Sequence, residues 1–139
     1  MPGQTGAITL GETTYRKIVN VYGEGTQSFT VTSGVPSGTG ATYSASNMSM
    51  KSLSWSVSPG GGPDSYVSVL WENNAVGTTH STIMNCYGAG SLNYAAMGLA
   101  TRNNANIPTG NILVVSNLGA SGSYTVLMEI GKPYQGVVH

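Results

Sequence analysis

The chain has 139 residues, and its five basic and five acidic residues give a formal net charge of zero. This length suits one domain with a single core, and only 7% of the residues are charged, compared with about 25% in an ordinary soluble domain. The basic residues are spread along the sequence, which predicts no basic patch and no nucleic-acid partner. No apolar run approaches the roughly 18 residues of a membrane span, and the first residues lack the features of a secretion signal, so no membrane partner is expected.

Three short strands are predicted first. Residues 7–10 form an opening strand, and residues 15–22 alternate Val19 and Val21 with other side chains. Residues 27–32 form the third strand, with Phe29 and Val31 facing inward. The glycine-rich turn at residues 23–25 predicts that the second and third strands pair as a hairpin.

The middle of the chain predicts a second hairpin. Leu53, Trp55 and Val57 alternate with a row of four serines, and residues 66–72 place Trp71 on an apolar face. A break rich in glycine and proline separates the two strands at residues 59–64. The two tryptophans are therefore expected in adjacent strands, facing the core. The serine row lies on the opposite face and consists of Ser52, Ser54, Ser56 and Ser58.

Residues 81–87 predict another strand, which the glycines at 88–90 end. Residues 92–101 are ambiguous, because Leu92, Ala95 and Leu99 have helical spacing while every neighbouring element is a strand. Strand is the preferred interpretation. Residues 110–116 form a continuous apolar run typical of a strand buried on both faces, and residues 123–130 alternate. With the glycine-bearing link at 117–122 they give the strongest hairpin signal in the chain.

These elements predict an all-β fold. About eight to ten antiparallel strands would form a β-sandwich spanning residues 1–139, and a jelly roll is the favoured topology. Short arms are expected at residues 1–6 and 132–139. The predicted core residues are Trp55, Trp71, Val114, Val126 and Met128.

Groups suited to catalysis or metal binding are few. Asp64, His80 and a serine formally allow a Ser-His-Asp site, but no Gly-x-Ser-x-Gly turn occurs. His80 is therefore interpreted as a structural residue. Cys86, the single cysteine, is interpreted as a small core residue, and the scattered carboxylates form no metal-ligand pattern. The sequence predicts no enzyme, no catalytic or metal-binding residue and no cofactor.

The tyrosines leave an alternative open. They are either partly buried residues at strand edges and interfaces, which is preferred, or a sugar-stacking platform with Asn and Thr as hydrogen-bonding neighbours. The eight tyrosines are Tyr15, Tyr22, Tyr43, Tyr66, Tyr87, Tyr94, Tyr124 and Tyr134.

The C-terminal segment resembles a known group of proteins. The segment consists of residues 110–115, the glycine-bearing turn, residues 123–130 and Lys132. It resembles the closing hairpin of small β-sandwich virion proteins of tailed bacteriophages. These proteins are the capsid decoration proteins and related head- or tail-surface domains. The resemblance implies a homo-oligomer, often a trimer, that binds a major capsid protein or another virion protein on the virion surface without catalysis. The low charge independently predicts self-association, with the serine row facing a neighbouring subunit. The alternative function is a carbohydrate-binding module or a fibre-tip domain.

Overall fold

Alternating apolar and polar residues build ten strands within the part of the chain that the structure describes. The computed structural model describes residues 5–39, 43–58, 65–73, 80–94, 101–105, 107–119 and 122–133. The strands are β1 (Thr5–Glu12), β2 (Arg16–Glu24), β3 (Ser28–Thr32), β4 (Ser49–Ser58), β5 (Tyr66–Asn73), β6 (Ser81–Cys86), β7 (Ala89–Asn93), β8 (Thr101–Arg102), β9 (Pro108–Asn117) and β10 (Ser123–Gly131). One 3₁₀ turn (Ala45–Asn47) precedes β4.

The strands form two antiparallel sheets. Sheet A has the order β1-β2-β10-β4-β7, and β8 pairs with β4 beside β7. Sheet B has the order β3-β9-β5-β6. The predicted all-β sandwich is confirmed, while its finer classification as a jelly roll stays a prediction.

One core lies between the sheets, and most of the predicted core residues are in it. Trp71, Val114, Val126 and Met128 are all buried. Trp55 is only half-buried, so its placement in the core was partly wrong. Its ring lies against Gly90 of the edge strand β7, where an added Cβ would come within 2.7 Å of the ring. The Trp55 Nε1 donates a hydrogen bond of 3.1 Å to the Tyr87 carbonyl oxygen.

The three predicted hairpins are wrong, although their strands are formed. In each predicted hairpin, one strand belongs to sheet A and the other to sheet B. The three pairs are β2 and β3, β4 and β5, and β9 and β10. Each link therefore joins a strand of one sheet to a strand of the other. The first and last links bond to each other, since the Gly25 N–H donates to the Gly122 carbonyl oxygen at 2.9 Å. The two tryptophan-bearing strands therefore belong to opposite sheets. The C-terminal pair that carries the resemblance to virion proteins is likewise not a hairpin.

Other boundaries also differ from the predictions. Gly88 turns the chain with φ +56°, but Ala89 and Gly90 already belong to β7. β9 is buried on one face only, because Leu113 and Val115 are half-buried on the outside of sheet B. Residues 92–93 and 101 lie in strands, as preferred, whereas residues 95–100 lie outside the described residues. The predicted N-terminal arm is shortened because β1 begins at Thr5, and residues 1–4 and 134–139 lie outside the described residues.

Candidate functional site

The centre of the outer face of sheet A is built from uncharged residues. Antiparallel register places Asn20, Leu127, Ser54 and Ser91 in one row across β2, β10, β4 and β7. The next row contains Tyr22, Thr125, Ser56 and Ala89. The predicted serine row therefore lies on this face, directed away from the core as expected.

Small side chains and exposed apolar groups meet on this face. Leu127 is 38% exposed at its centre, among serine and asparagine neighbours. On the edge strand β1, Ile8 and Leu10 are 54% and 60% exposed, and Ile8 pairs with Asn20 in the central row. An exposed edge strand that carries apolar side chains is a surface prone to pairing with another chain.

A hollow lies at one end of the outer face, and we call it the tyrosine–serine hollow. Its volume is about 310 Å³. Its outward-facing lining consists of Tyr22, Glu24, Ser56, Ser58, Ser123 and Thr125. The Tyr22 ring is positioned by Gly6, since a Cβ at Gly6 would come within 2.6 Å of the Tyr22 hydroxyl. An aromatic ring, a carboxylate and several hydroxyls thus surround one small space.

The prediction that the basic residues form no patch is wrong, because they gather at the opposite end of sheet A. One row across β2, β10, β4 and β8 contains Arg16, Gly131, Ser49 and Arg102. The other three basic residues lie within two positions of this row in the sequence. We call this the basic end. Its five basic residues are Arg16, Lys17, Lys51, Arg102 and Lys132.

Two ion pairs partly neutralise the basic end. The Arg16 Nη1 lies 2.9 Å from Glu129 Oε2, and the Lys132 Nζ lies 2.6 Å from Glu12 Oε2. The hydrogen bond from Lys132 lowers the pKa of the Glu12 carboxyl below its ordinary value. Both carboxylates therefore belong to the basic end and reduce its positive charge.

The residues considered for catalysis do not form a site within the described residues. His80 is exposed at the start of β6, and its Nδ1 accepts a hydrogen bond of 2.9 Å from the Asn73 backbone N–H. Asp64 lies outside the described residues. Cys86 is buried, and burial raises the pKa of its thiol to about 12, so the thiol stays protonated at neutral pH. No group of three metal-ligating side chains occurs in the described ranges.

The seven tyrosines that the structure describes are not gathered into one platform. Tyr66 and Tyr87 lie together, with ring centroids 5.4 Å apart, whereas Tyr22 belongs to the tyrosine–serine hollow. Tyr94 and Tyr124 are buried. Tyr15 lies at the basic end, Tyr43 packs against the core, and Tyr134 lies outside the described residues.

The sequence did not reveal the two ends of sheet A, because each end joins strands distant in the chain.

In the described part of the chain, no helix has the length and apolar character needed to cross a bilayer. Comparison with known proteins finds no matching family model, no matching curated protein and no matching solved structure.

Proposed function

We propose that this chain is a non-enzymatic structural subunit that binds copies of itself and a larger protein lattice, as a capsid decoration protein does on a virion. The observation that carries the proposal is the outer face of sheet A, with its uncharged centre around Leu127 and Ser54. Serine, threonine and alanine side chains allow two surfaces to approach closely. Such a surface also lacks the repulsion between like charges that keeps small domains apart.

The outer face, counted with both of its ends, approaches the area of such an interface. The nine residues of β2, at roughly 3.3 Å per residue, and four strands spaced about 4.8 Å apart give a face of roughly 30 by 20 Å. This planar area of about 600 Å² approaches the roughly 800 Å² that each partner buries in a standard interface. The exposed Ile8 side chain of β1 extends the same surface at its edge.

The strand order supports the jelly-roll interpretation and thereby the proposed class of protein. The rows β2-β10-β4-β7 and β3-β9-β5-β6 face each other. The links from β2 to β3, β4 to β5, β6 to β7 and β9 to β10 join opposite sheets. Jelly rolls of two four-stranded sheets occur in viral capsid proteins and in lectins.

We expect Leu127→Arg to convert an oligomer, with a trimer as the preferred state, into monomers, because it places a charge at the centre of the outer face. The fold should be retained, since Leu127 is directed away from the core. Sedimentation equilibrium at micromolar concentration checks the result. Thr30→Arg is the matched control, because it adds the same charge to the outer face of sheet B and should leave the oligomer intact. If the wild-type protein sediments only as a monomer, the proposed self-association is wrong.

The attachment to a virion has its own test, because self-association alone does not require a lattice. Mass spectrometry of purified virions should find this chain in a copy number set by the symmetry of the capsid. Its absence from every virion fraction would end the virion proposal and leave the self-association untouched.

A carbohydrate-binding module is the second candidate function, favoured by the tyrosine–serine hollow. Tyr22 offers an aromatic face, while Glu24 and Ser56 offer hydrogen-bonding partners for sugar hydroxyls. On a glycan array, wild-type protein should bind an uncharged glycan, and Tyr22→Ala should lose the signal. Tyr87→Ala is the control, because Tyr87 is equally an exposed tyrosine but lies outside the hollow. An array without any hit for the wild type would leave assembly as the sole candidate.

A further inference from the structure

We propose that the basic end of sheet A binds a sugar residue that carries a carboxylate or sulfate group. This site lies at the end of the outer face opposite the tyrosine–serine hollow. It goes beyond the proposed structural function, since neither self-association nor lattice binding requires it.

The site is a hollow of about 430 Å³, which we call the basic hollow. Its lining consists of Tyr15, Arg16, Ser49, Lys51, Glu129 and Lys132. Gly131 brings the lining together, since a Cβ there would come within 2.6 Å of Ser49 Oγ and 2.7 Å of Lys51 Cε. The absence of a side chain at Gly131 thus lets the serine hydroxyl and the lysine chain converge on one space.

The charges of the basic hollow favour an anion. Arg16 and Lys132 are each paired with a carboxylate, whereas no ion pair of Lys51 exists among the described residues. At the hollow itself, Arg16, Lys51 and Lys132 less Glu129 and Glu12 leave a net charge of +1. Lys17 and Arg102, which lie outside its lining, raise the net charge of the whole basic end to +3. An oxyanion beside Lys51 would also accept hydrogen bonds from the Ser49 hydroxyl and the guanidinium of Arg16.

The remaining groups favour a sugar over a nucleic acid. Tyr15 is 56% exposed at the hollow and provides a ring on which the apolar face of a sugar can pack. The carboxylate of Glu129 lines the hollow and can accept hydrogen bonds from sugar hydroxyls. A net charge of +3 is also small compared with the roughly 6–10 phosphate contacts of typical DNA-binding proteins.

Isothermal titration with three oligosaccharides of equal length tests the proposal. Oligogalacturonate carries carboxylates alone, dextran sulfate carries sulfates alone, and dextran carries no charge. We expect at least one acidic oligosaccharide to bind, with an affinity that falls as salt rises, and dextran not to bind. Which acid binds identifies the anionic group.

Lys51→Gln should weaken this binding about tenfold, as expected for a lost hydrogen bond to a charged group. Lys17→Gln is the matched control, because it removes the same charge at the same end, while the Lys17 Nζ donates to the Thr32 carbonyl oxygen and lies outside the hollow. It should change the affinity less than twofold. Both variants should sediment like the wild type, which separates this proposal from the proposed assembly.

Three results would overturn the proposal. The first is no binding of either acidic oligosaccharide at millimolar concentration. The second is an equal loss in Lys51→Gln and Lys17→Gln, which would indicate attraction to net charge alone. The third is equally tight binding of a single-stranded oligonucleotide with the same number of charges, which would indicate a general affinity for polyanions.

Discussion

Trp71→Ala is expected to lower the free energy of unfolding by about 3–5 kcal/mol, the range for truncation of a buried large aromatic side chain. Trp71 is 1% exposed on the inner face of β5, paired with Ile112 of β9 and Ser81 of β6. Packed strands on both sides prevent the site from collapsing around an alanine. The cavity therefore adds to the loss of buried apolar area.

Chemical denaturation monitored by far-ultraviolet circular dichroism measures this loss. Trp55→Ala is the internal comparison, because the same truncation occurs at a ring that is half-buried against Gly90. We expect it to cost roughly 1–2 kcal/mol, since less apolar area leaves the protein interior. A loss below about 1 kcal/mol for Trp71→Ala would contradict its buried position.

Alternation along the sequence predicted which residues face the core, because side-chain direction follows strand geometry alone. Val19 and Val21 are buried and Ser54 and Ser56 are exposed, as their period of two requires. Strand pairing is a different property. A glycine-bearing link such as the one with Gly119 suits a tight hairpin and a crossing between sheets equally well, and both keep the apolar faces inside.

The basic end could not be predicted from the sequence, because its formation depends on which strands pair. Arg16, Lys51, Arg102 and Lys132 are distant in the sequence and meet only because β2, β10, β4 and β8 are neighbours in that order. Once the pairing is known, their proximity follows from the register. The chain has few charged residues and no net charge, but its fold distributes the charged residues unevenly along sheet A.

The second large effect concerns Gly110, which the sequence marked as the start of a strand. The structure places it within β9 with φ +90°, a backbone conformation that favours glycine. Its carbonyl oxygen accepts a hydrogen bond of 2.6 Å from the buried Ser33 hydroxyl, and Ser33 Oγ accepts one of 3.1 Å from the Val35 N–H. The segment after β3 is thereby held against β9 by hydrogen bonds in the interior.

Gly110→Ala is expected to destabilise the protein by roughly 2–5 kcal/mol, from backbone strain at positive φ together with overpacking. The new Cβ would press on the Val35 carbonyl oxygen, a backbone atom with no rotamer by which to move aside. Either β9 or the segment around Val35 would have to shift, and Val35 is itself buried in the core. Thermal and chemical denaturation measure the change.

Gly34→Ala separates the two causes, because Gly34 has φ +82° but open space around its Cβ direction. It carries the backbone strain without the steric overlap, so we expect a cost of about 1–2 kcal/mol. The difference between the two variants measures the contact between Gly110 and Val35. Equal losses in both would mean that the chain around Val35 yields without cost, which its burial and its hydrogen bond to Ser33 argue against.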